Sequence, residues 1–186
     1  MTANSTGFDR PLRVLLTGGA GFLGRAILRE FGKTSDFEVR VLDRAAVDAE
    51  LFPEVESLVG DIVDADTVAE ACREIDVVLH AASLVDWGHT TREELEAVNV
   101  IGTQTVIDAC RESGVAGLVY TSSMDVVCGT EPLPGVDETH PYPPRFTNEY
   151  SRTKALAEQR VLASNDDSLR TCALRPCGLF GEGDPY

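Results

Sequence analysis

The chain has 186 residues, of which 43% are hydrophobic and 25% charged, and its formal net charge at pH 7 is −15. This length and hydrophobic content suit a single globular α/β domain with a sizeable core. The acidic balance excludes a nucleic-acid-binding surface, because such a surface needs clustered cations that this sequence does not contain.

Residues 1–11 begin with a polar stretch that lacks the apolar centre of a secretory signal, and they are predicted to form a flexible tail. No later apolar run reaches the roughly 20 residues needed to span a bilayer. We therefore expect a cytoplasmic protein with no membrane segment in this chain. The three histidines and five cysteines lack the spacing of metal ligands, so no metal site is predicted.

The first predicted strand, residues 12–16, runs into the glycine-rich sequence TGGAGFLG at residues 17–24, and a helical pattern follows. This order aims free backbone N–H groups and the positive end of a helix dipole at one point, which is typical of a phosphate-binding turn. We expect Gly18 to form the tight turn and Gly21 to let a pyrophosphate approach the backbone. Gly24 would let the helix pack close to the strand.

A second predicted strand, residues 38–43, ends at Asp43. A carboxylate at this distance from the glycine turn accepts hydrogen bonds from the ribose hydroxyls of a dinucleotide and repels a 2′-phosphate. The pattern therefore predicts NAD as the cofactor, in preference to NADP. Arg44 keeps NADP open, because an arginine at this position is able to pair with the extra phosphate. A solvated Asp–Arg pair without a ligand is the structural alternative.

Strand and helix patterns alternate along the rest of the sequence. This alternation predicts an α/β fold with a doubly wound parallel sheet of the Rossmann type, whose ligand lies at the carboxyl ends of the strands. One long helix is predicted over residues 91–114, where Gly114 ends it, and a proline-rich loop precedes the last helix. The other predicted strands cover residues 55–61, 76–82, 117–123 and 169–176, and the other predicted helices cover residues 64–74 and 149–165.

Tyr150 and Lys154 stand four residues apart at the head of the last predicted helix, so their side chains share one face. Lys33 and Lys154 are the only lysines in the chain, which suggests that Lys154 does something that arginine does poorly. We expect its ammonium group to lower the pKa of Tyr150 by roughly three units, making the phenol an acid/base near neutral pH. Ser123, in preference to Ser122, would bond the substrate oxygen. An ordinary surface Tyr–Lys pair is the alternative.

The sequences TGGAGFLG and YSRTK resemble the extended short-chain dehydrogenase/reductase superfamily. Within it, AASLVDWGHTTREELEAVNVIGTQTVIDAC, VYTSSMDVV and TCALRPCGLFGEGD resemble the 3β-hydroxysteroid dehydrogenase branch, which includes the sterol 4α-carboxylate decarboxylating dehydrogenases. The resemblance covers nearly the whole chain from residue 12. It implies an NAD-dependent oxidation of a 3β-hydroxyl on a sterol or steroid-like alcohol, with a small hydrophobic alcohol or ketone as substrate. Relatives of this kind often pair through their long helices, so a homodimer is compatible with the resemblance, although the sequence does not determine the oligomeric state.

The resemblance assigns roles to the matching positions. It implies Tyr150 as the catalytic acid/base, Lys154 as its partner and a ribose ligand, and Ser123 as the residue that orients the substrate hydroxyl. It also implies that Asn99 shapes the active-site helix and supports a proton-relay water, although a buried amide that only bonds backbone is the alternative. The implied cofactor-binding positions are Gly18, Gly21, Phe22, Leu23, Gly24, Asp43, Asp61, Ile62, Ala81, Ala82, Asn99, Lys154 and Pro176.

Two other functions stay open at this stage: a sugar-nucleotide epimerase or reductase of the same superfamily, and a module that senses a dinucleotide without catalysis. Met124 disfavours the epimerase, because the resemblance places a hydroxyl residue there in many sugar-nucleotide enzymes. Tyr150 and Lys154 disfavour the sensor, which needs neither. In domain terms we expect a tail over residues 1–11, an NAD-binding Rossmann domain over residues 12–178 and the start of a truncated substrate-binding region over residues 179–186, with most of the substrate domain missing.

Overall fold

A computed structural model of the protein describes residues 10–86, 88–130 and 133–184. Most of the predicted tail and the last two residues of the predicted substrate-binding start therefore lie outside the described residues. The strands are Leu12–Thr17 (β1), Phe37–Asp43 (β2), Glu56–Val59 (β3), Val77–His80 (β4), Gly117–Thr121 (β5) and Arg170–Leu174 (β6). All neighbours pair in parallel, in the order β3-β2-β1-β4-β5-β6.

Side-chain and glycine caps set several of the helix ends. Asp64 accepts a hydrogen bond from the Thr67 N–H at 3.1 Å, and Asn148 does the same for Ser151 at 2.7 Å. Gly114 ends a helix in the left-handed conformation, with φ at +70°. The helices are Phe22–Phe31 (α1), Ala65–Ala71 (α2), Arg92–Leu95 (α3), Thr103–Ser113 (α4) and Glu149–Ala163 (α5), with a π segment at Glu96–Gly102 between α3 and α4 and a short 3-10 turn at Met124–Val127.

The core lies on both faces of the sheet. Consecutive residues of β1 point to opposite faces, so Leu15 joins the cluster that α2, α4 and α5 cover, while Leu16 joins the one beneath α1. Leu28 of α1 and Val41 of β2 complete the second cluster. Helices on both faces of a parallel sheet make the fold doubly wound, and the predicted Rossmann-type α/β fold is confirmed.

The strand order reverses at β1. The chain winds outward from β1 through β2 to β3, then returns to place β4 on the other side of β1. Thr17, the last residue of β1, pairs with Leu42 on one side and His80 on the other. The loops that leave the two halves diverge here, so a crevice opens at the carboxyl ends of the strands, where such folds bind ligands.

Several elements are a few residues shorter than predicted, and two differences have a clear structural reason. The strand predicted over residues 55–61 ends at Val59, because its ladder with β2 stops where Val59 meets Asp43. The helix predicted as continuous over residues 91–114 widens into the π segment in its middle. Hydrophobic spacing predicts that a helix is present, but it does not reveal the one extra residue in a turn that makes a π segment. Among the described residues, no helix combines the length and apolar character that crossing a bilayer requires.

Candidate functional site

A cleft of about 300 Å³ opens at the carboxyl ends of β1, β2 and β4, at the point where the strand order reverses. It brings together seven of the predicted cofactor positions: Gly18, Gly21, Asp43, Asp61, Ile62, Ala81 and Ala82. Its remaining lining residues are Ala20, Leu42, Arg44, Ala45, Gly60, Ser83, Leu84 and Val98. Apart from Arg44, these residues were not predicted as part of the site. Several of them are direct chain neighbours of predicted site residues, and this proximity is the signal that could have identified them.

The glycine turn leaves the start of α1 uncovered. Gly18 has φ at +77°, and a Cβ added there would stand 2.7 Å from the Ala82 backbone nitrogen. A Cβ on Gly24 would stand 2.5 Å from the Gly19 Cα, so α1 packs directly on the turn. Gly21 is the N-cap residue, and no side chain accepts a hydrogen bond in that role. The first N–H groups of α1 therefore have no side-chain acceptor at the N-cap, an arrangement suited to an anion.

Asp43 is held in the wall of the cleft by two backbone donors. Its Oδ2 accepts a hydrogen bond from the Ala20 N–H at 3.0 Å, and its Oδ1 accepts one from the Ala45 N–H at 3.1 Å. The carboxylate thus joins the glycine turn to the end of β2 and is fixed in orientation. Arg44 also lines the cleft and is exposed, so both charges that bear on a ribose or a phosphate lie at this end.

Tyr150 lies in the first turn of α5, next to the strand-end serine. Burial raises the pKa of Tyr150, a hydrogen bond with Ser123 opposes this change, and the charge of Asp125 adds to it. The predicted fall in the Tyr150 pKa is therefore wrong for the protein by itself. Ser123 is buried, and its Oγ also accepts a hydrogen bond from the Asp125 N–H at 3.2 Å. The structure brings the predicted Tyr150 and Ser123 together.

Lys154 is one turn further along α5 and is only 2% exposed. Its Nζ donates a hydrogen bond to the Thr121 carbonyl at 2.6 Å and lies 4.3 Å from the centre of the Tyr120 ring. Burial lowers the pKa of Lys154 to about 7, and the negative charge of Glu158 opposes this change. The four-residue spacing predicted a shared face with Tyr150; the tertiary packing directs the amine toward β5.

Asn99 lies in the π segment, is 1% exposed and makes four hydrogen bonds. Its amide Oδ1 accepts from the Ser83 hydroxyl at 3.1 Å and from the Leu84 N–H at 2.8 Å. Its Nδ2 donates to the Leu84 carbonyl at 2.9 Å and to the Thr153 Oγ1 at 3.1 Å, and Thr153 in turn bonds the carbonyl of Tyr150. These contacts use the full capacity of the amide. They tie the segment after β4 to α5, and the relay water stays a prediction.

A buried hydrogen-bond chain through His80 was not predicted. The Ala82 N–H donates to Thr17 Oγ1, which lies 2.7 Å from His80 Nδ1; His80 Nε2 lies 3.0 Å from Thr103 Oγ1, which donates to the Asn99 carbonyl. Because Thr103 gives its proton to Asn99, His80 must carry its own on Nε2. Burial and the charge of Lys154 lower the pKa of His80 to about 3, so it is neutral. His80 itself was the sequence signal for this hydrogen-bond chain, because it is a polar residue at the end of the otherwise apolar strand VVLH.

The remaining predicted positions lie around the edge of the site. Phe22 and Leu23 form the first turn of α1, and the Pro176 carbonyl accepts a hydrogen bond from the Met124 N–H at 3.0 Å, directly after Ser123. The cleft lining does not include Phe22, Leu23, Gly24, Asn99, Lys154 or Pro176. In the described part of the chain no group of three or more His, Cys, Asp or Glu side chains could hold a metal ion.

Known proteins match about nine-tenths of this chain, both in sequence and in fold. The 3 beta-hydroxysteroid dehydrogenase/Delta 5→4-isomerase of Mycobacterium tuberculosis is 42% identical over 179 residues, which are 92% of this chain and 48% of that protein. The 2-alkyl-3-oxoalkanoate reductase of Stenotrophomonas maltophilia is 41% identical over 177 residues, 93% of this chain and 52% of that protein. A solved short-chain dehydrogenase/reductase superfamily protein from Agrobacterium tumefaciens with bound NAD matches with a TM-score of 0.76 at 30% identity, covering 88% of this chain and 48% of its own.

The chain spans about half the length of the curated relatives that it matches. The profile of the 3-beta hydroxysteroid dehydrogenase/isomerase family matches residues 15–186. The predicted resemblance is therefore confirmed, and the chain belongs to the 3-beta hydroxysteroid dehydrogenase/isomerase family.

Proposed function

We propose that this protein is an NAD-dependent oxidoreductase that oxidises a 3β-hydroxyl of a sterol or steroid-like alcohol to a ketone. The observation that carries the proposal is the position of Ser123 and Tyr150, which are in contact with each other beside the end of β5 in the same sheet edge that holds the glycine turn and Asp43. Cofactor and acid/base groups thus share the carboxyl ends of the strands, where a ligand binds in this fold.

The residues of the cleft fit NAD. The turn at Gly18 has no room for a side chain, and the uncovered start of α1 offers N–H donors to a pyrophosphate. Asp43 would accept the hydroxyls of the adenosine ribose, and its charge would repel a 2′-phosphate. Asp61 and Ile62 would bound the adenine side, and Ala81 and Ala82 the middle of the cofactor. Lys154 would bind the second ribose, and Pro176 would flank the nicotinamide.

When bound, NAD supplies the hydride acceptor for the reaction. Ser123 would orient the substrate hydroxyl by a hydrogen bond, and the Tyr150 phenolate oxygen would accept the hydroxyl proton as the alcohol becomes a ketone. Burial keeps the pKa of Tyr150 high in the protein alone. Its ionisation therefore depends on nearby positive charge, and Lys154 is the ammonium group one turn away on the same helix.

The substrate class rests on the family and its named relatives. The M. tuberculosis relative is named for dehydrogenation and isomerisation of 3β-hydroxysteroids. A second candidate is reduction of a 3-oxo acid, favoured by the S. maltophilia reductase at almost the same identity. Both reactions exchange a proton at one oxygen and a hydride at the adjacent carbon, so the same Ser123 and Tyr150 would serve either one.

The test measures NADH formation from a 3β-hydroxysteroid by the gene product that carries this chain. Tyr150→Phe should lower kcat by about a hundredfold or more, since it removes the acid/base group, and should leave NAD affinity within about twofold. Lys154→Met should weaken both, while Lys33→Met, on the exposed surface, should change neither.

Three results would contradict the proposal. Full activity of Tyr150→Phe would remove the acid/base role. Turnover of a 3-oxo acid or a nucleotide sugar with none of the steroid would assign a different substrate class. NAD binding without turnover of any of these compounds would favour a dinucleotide sensor.

A further inference from the structure

A buried carboxylate stands one turn beyond Lys154 on α5. Glu158 is fully buried, and its two oxygens receive hydrogen bonds from the Arg175 guanidinium at 2.6 to 3.1 Å. Tyr142, from the proline-rich segment, donates its hydroxyl to Oε1 at 2.6 Å. Two separate parts of the chain thus converge on the carboxylate of α5. Burial of an ion at this depth is costly unless it is paired and hydrogen-bonded, so the arrangement needs a reason.

The direct contacts of Lys154 carry no negative charge. Its Nζ bonds the carbonyl of Thr121 and lies over the ring of Tyr120, which are a dipole and a neutral π face. Positions four apart on a helix lie on the same face, so Lys154 and Glu158 are neighbours within α5. A buried ammonium that lacks an adjacent anion loses its proton easily, because burial disfavours the charged form.

The titratable groups that face this region from β4, β5 and α4 are neutral. Burial and the charge of Lys154 lower the pKa of His80 to about 3, and burial raises the pKa of Tyr120. The hydrogen bond with Cys72, together with burial, raises the pKa of the Cys110 thiol. None of these three groups can balance the charge of Lys154 near neutral pH.

Arg92 of α3 and Glu96 of the π segment are each held in an ion pair at the surface. Arg92 pairs with Glu149 at 3.4 Å, and Glu96 pairs with Arg152 at 2.7 Å, with both carboxylates more than a third exposed. Solvent screens charges in such positions. They contribute little to the state of a buried amine.

Two further charges lie at the ends of the strands. Asp125, in the 3-10 turn, acts on Tyr150, whose pKa it raises after the larger contribution of burial. Arg175, after β6, is itself committed to the Glu158 carboxylate. Burial alone would raise the pKa of Glu158, but its hydrogen bonds with Arg175 and Tyr142 lower it, so Glu158 is ionised.

We propose that Glu158 is a positioning residue for the proposed oxidation: it favours the ammonium form of Lys154, and Arg175 keeps Glu158 ionised and in place. The proposal rests on the proposed function for its catalytic meaning. Its physical content concerns the proton on Lys154 and can be measured without substrate or NAD.

The chain is well suited to this measurement because it contains only two lysines, Lys33 and Lys154. Isotope-labelled lysine therefore gives two side-chain NMR signals, and Lys33, exposed and paired with Glu30, is an internal reference. The Cε chemical shift of each lysine is followed against pH. In the parent chain Lys154 should titrate near pH 7, following the pKa of about 7 that burial gives it.

Glu158→Gln keeps the shape of the side chain and removes its charge, so the Lys154 titration should move down by about one pH unit or more. Tyr142→Phe removes a hydrogen bond and keeps the charge, and it should leave the Lys154 titration near that of the parent. Glu54→Gln makes the same charge change at an exposed position away from Lys33 and should also leave Lys154 unmoved.

A Lys154 titration in folded Glu158→Gln that matches the parent would overturn the proposal, and so would an equal shift in Tyr142→Phe. If Glu158→Gln does not fold, the double variant Glu158→Leu with Arg175→Met replaces the whole ion pair by apolar groups, which proteins often tolerate. The Lys154 titration should fall there too, because Glu158 is the charge that supports it.

The activity profile separates this inference from the proposed function. If the steroid is turned over, the loss of activity in Glu158→Gln should increase as pH rises, because Lys154 loses its proton at a lower pH than in the parent. A pH-independent loss would indicate a merely structural role and overturn the inference. Absence of steroid turnover in the parent would contradict the proposed function alone, since the lysine titration does not depend on it.

Discussion

The glycine turn after β1 and the layer beneath α5 perform their tasks by opposite means. The turn consists of backbone and small residues: Gly18 and Gly24 create space, and Asp43 is its one half-buried charge. The layer beneath α5 consists of side chains, with Lys154 and Glu158 buried as ions. The first region depends on the absence of a side chain at Gly18 and Gly24, and the second depends on charges that must remain balanced.

This difference predicts how each region fails. A turn made of backbone fails by steric conflict, which is abrupt and nearly independent of pH. A buried network of ions and a neutral histidine fails by protonation, which is gradual and follows pH. A substitution in the glycine turn should therefore leave the pH dependence of stability unchanged, and a substitution in the layer beneath α5 should leave the packing of the turn unchanged.

The largest effect is expected at Gly18, and Gly114 provides a matched control. Both have positive φ, +77° and +70°, but only Gly18 has the backbone of another segment, the one after β4, where a Cβ would lie. Gly114→Ala should lower the free energy of unfolding by about 1 kcal/mol, the cost of the left-handed conformation. Gly18→Ala should lower it by about 3 kcal/mol or more, because crowding adds to that cost. Equal urea midpoints for the two variants would show that the contact with Ala82 is unimportant.

An intermediate effect is expected from His80 in acid. Its pKa is about 3 in the folded protein and ordinarily near 6.5 in an unfolded chain, so the unfolded state binds the proton first. Stability is then fully present above pH 6.5 and falls as the pH drops toward 3. The loss should be about 2.5 kcal/mol between pH 6.5 and 4.5, at ~1.4 kcal/mol per unit.

The measurement is the free energy of unfolding against pH for the parent and for His80→Gln, which retains a donor and an acceptor. Carboxylates contribute to the acid slope of both proteins, so the difference between the two slopes isolates His80. Parallel slopes would mean that His80 is not a neutral buried group.

The smallest effect is expected for cofactor choice at Asp43. Asp43→Asn keeps the size of the side chain and removes the charge that would repel a 2′-phosphate, so the ratio of NAD to NADP affinity should fall by about tenfold. Asp48→Asn makes the same change of net charge at an exposed position outside the cleft and should alter the ratio by less than about twofold. Calorimetric titration with each dinucleotide gives the ratio, and no difference between the variants would assign the preference elsewhere.

The same contrast explains what could be predicted from the sequence. The order of strands and helices and the glycine turn follow from local patterns, and the structure confirms the doubly wound parallel sheet. The position of the Asp43 carboxylate could be predicted because it directly ends a strand. Such features depend on residues close together in the chain, where periodicity and turn chemistry apply.

The environment of Lys154 could not be predicted in this way. Its spacing from Tyr150 fixes a helix face, but Thr121 of β5 contacts it and Arg175, after β6, binds its helix neighbour Glu158. Whether a long side chain meets a phenol or a carbonyl is decided by this packing. The direction of the Tyr150 pKa change was missed for the same reason, since burial, its largest cause, is a tertiary property.

The π segment has a consequence for how this family can vary in length. Each residue of a regular α-helix advances the chain by about 100° around the axis. Deleting one residue between Glu96 and Gly102 would restore regular winding while rotating everything downstream by about that angle. After such a deletion, either Asn99 could keep its hydrogen bond to Leu84, or Val106 and Cys110 could stay in the core. A single helix register could not satisfy both conditions. The extra residue in the π segment therefore allows one continuous helix to direct Asn99 toward Leu84 and Val106 into the core.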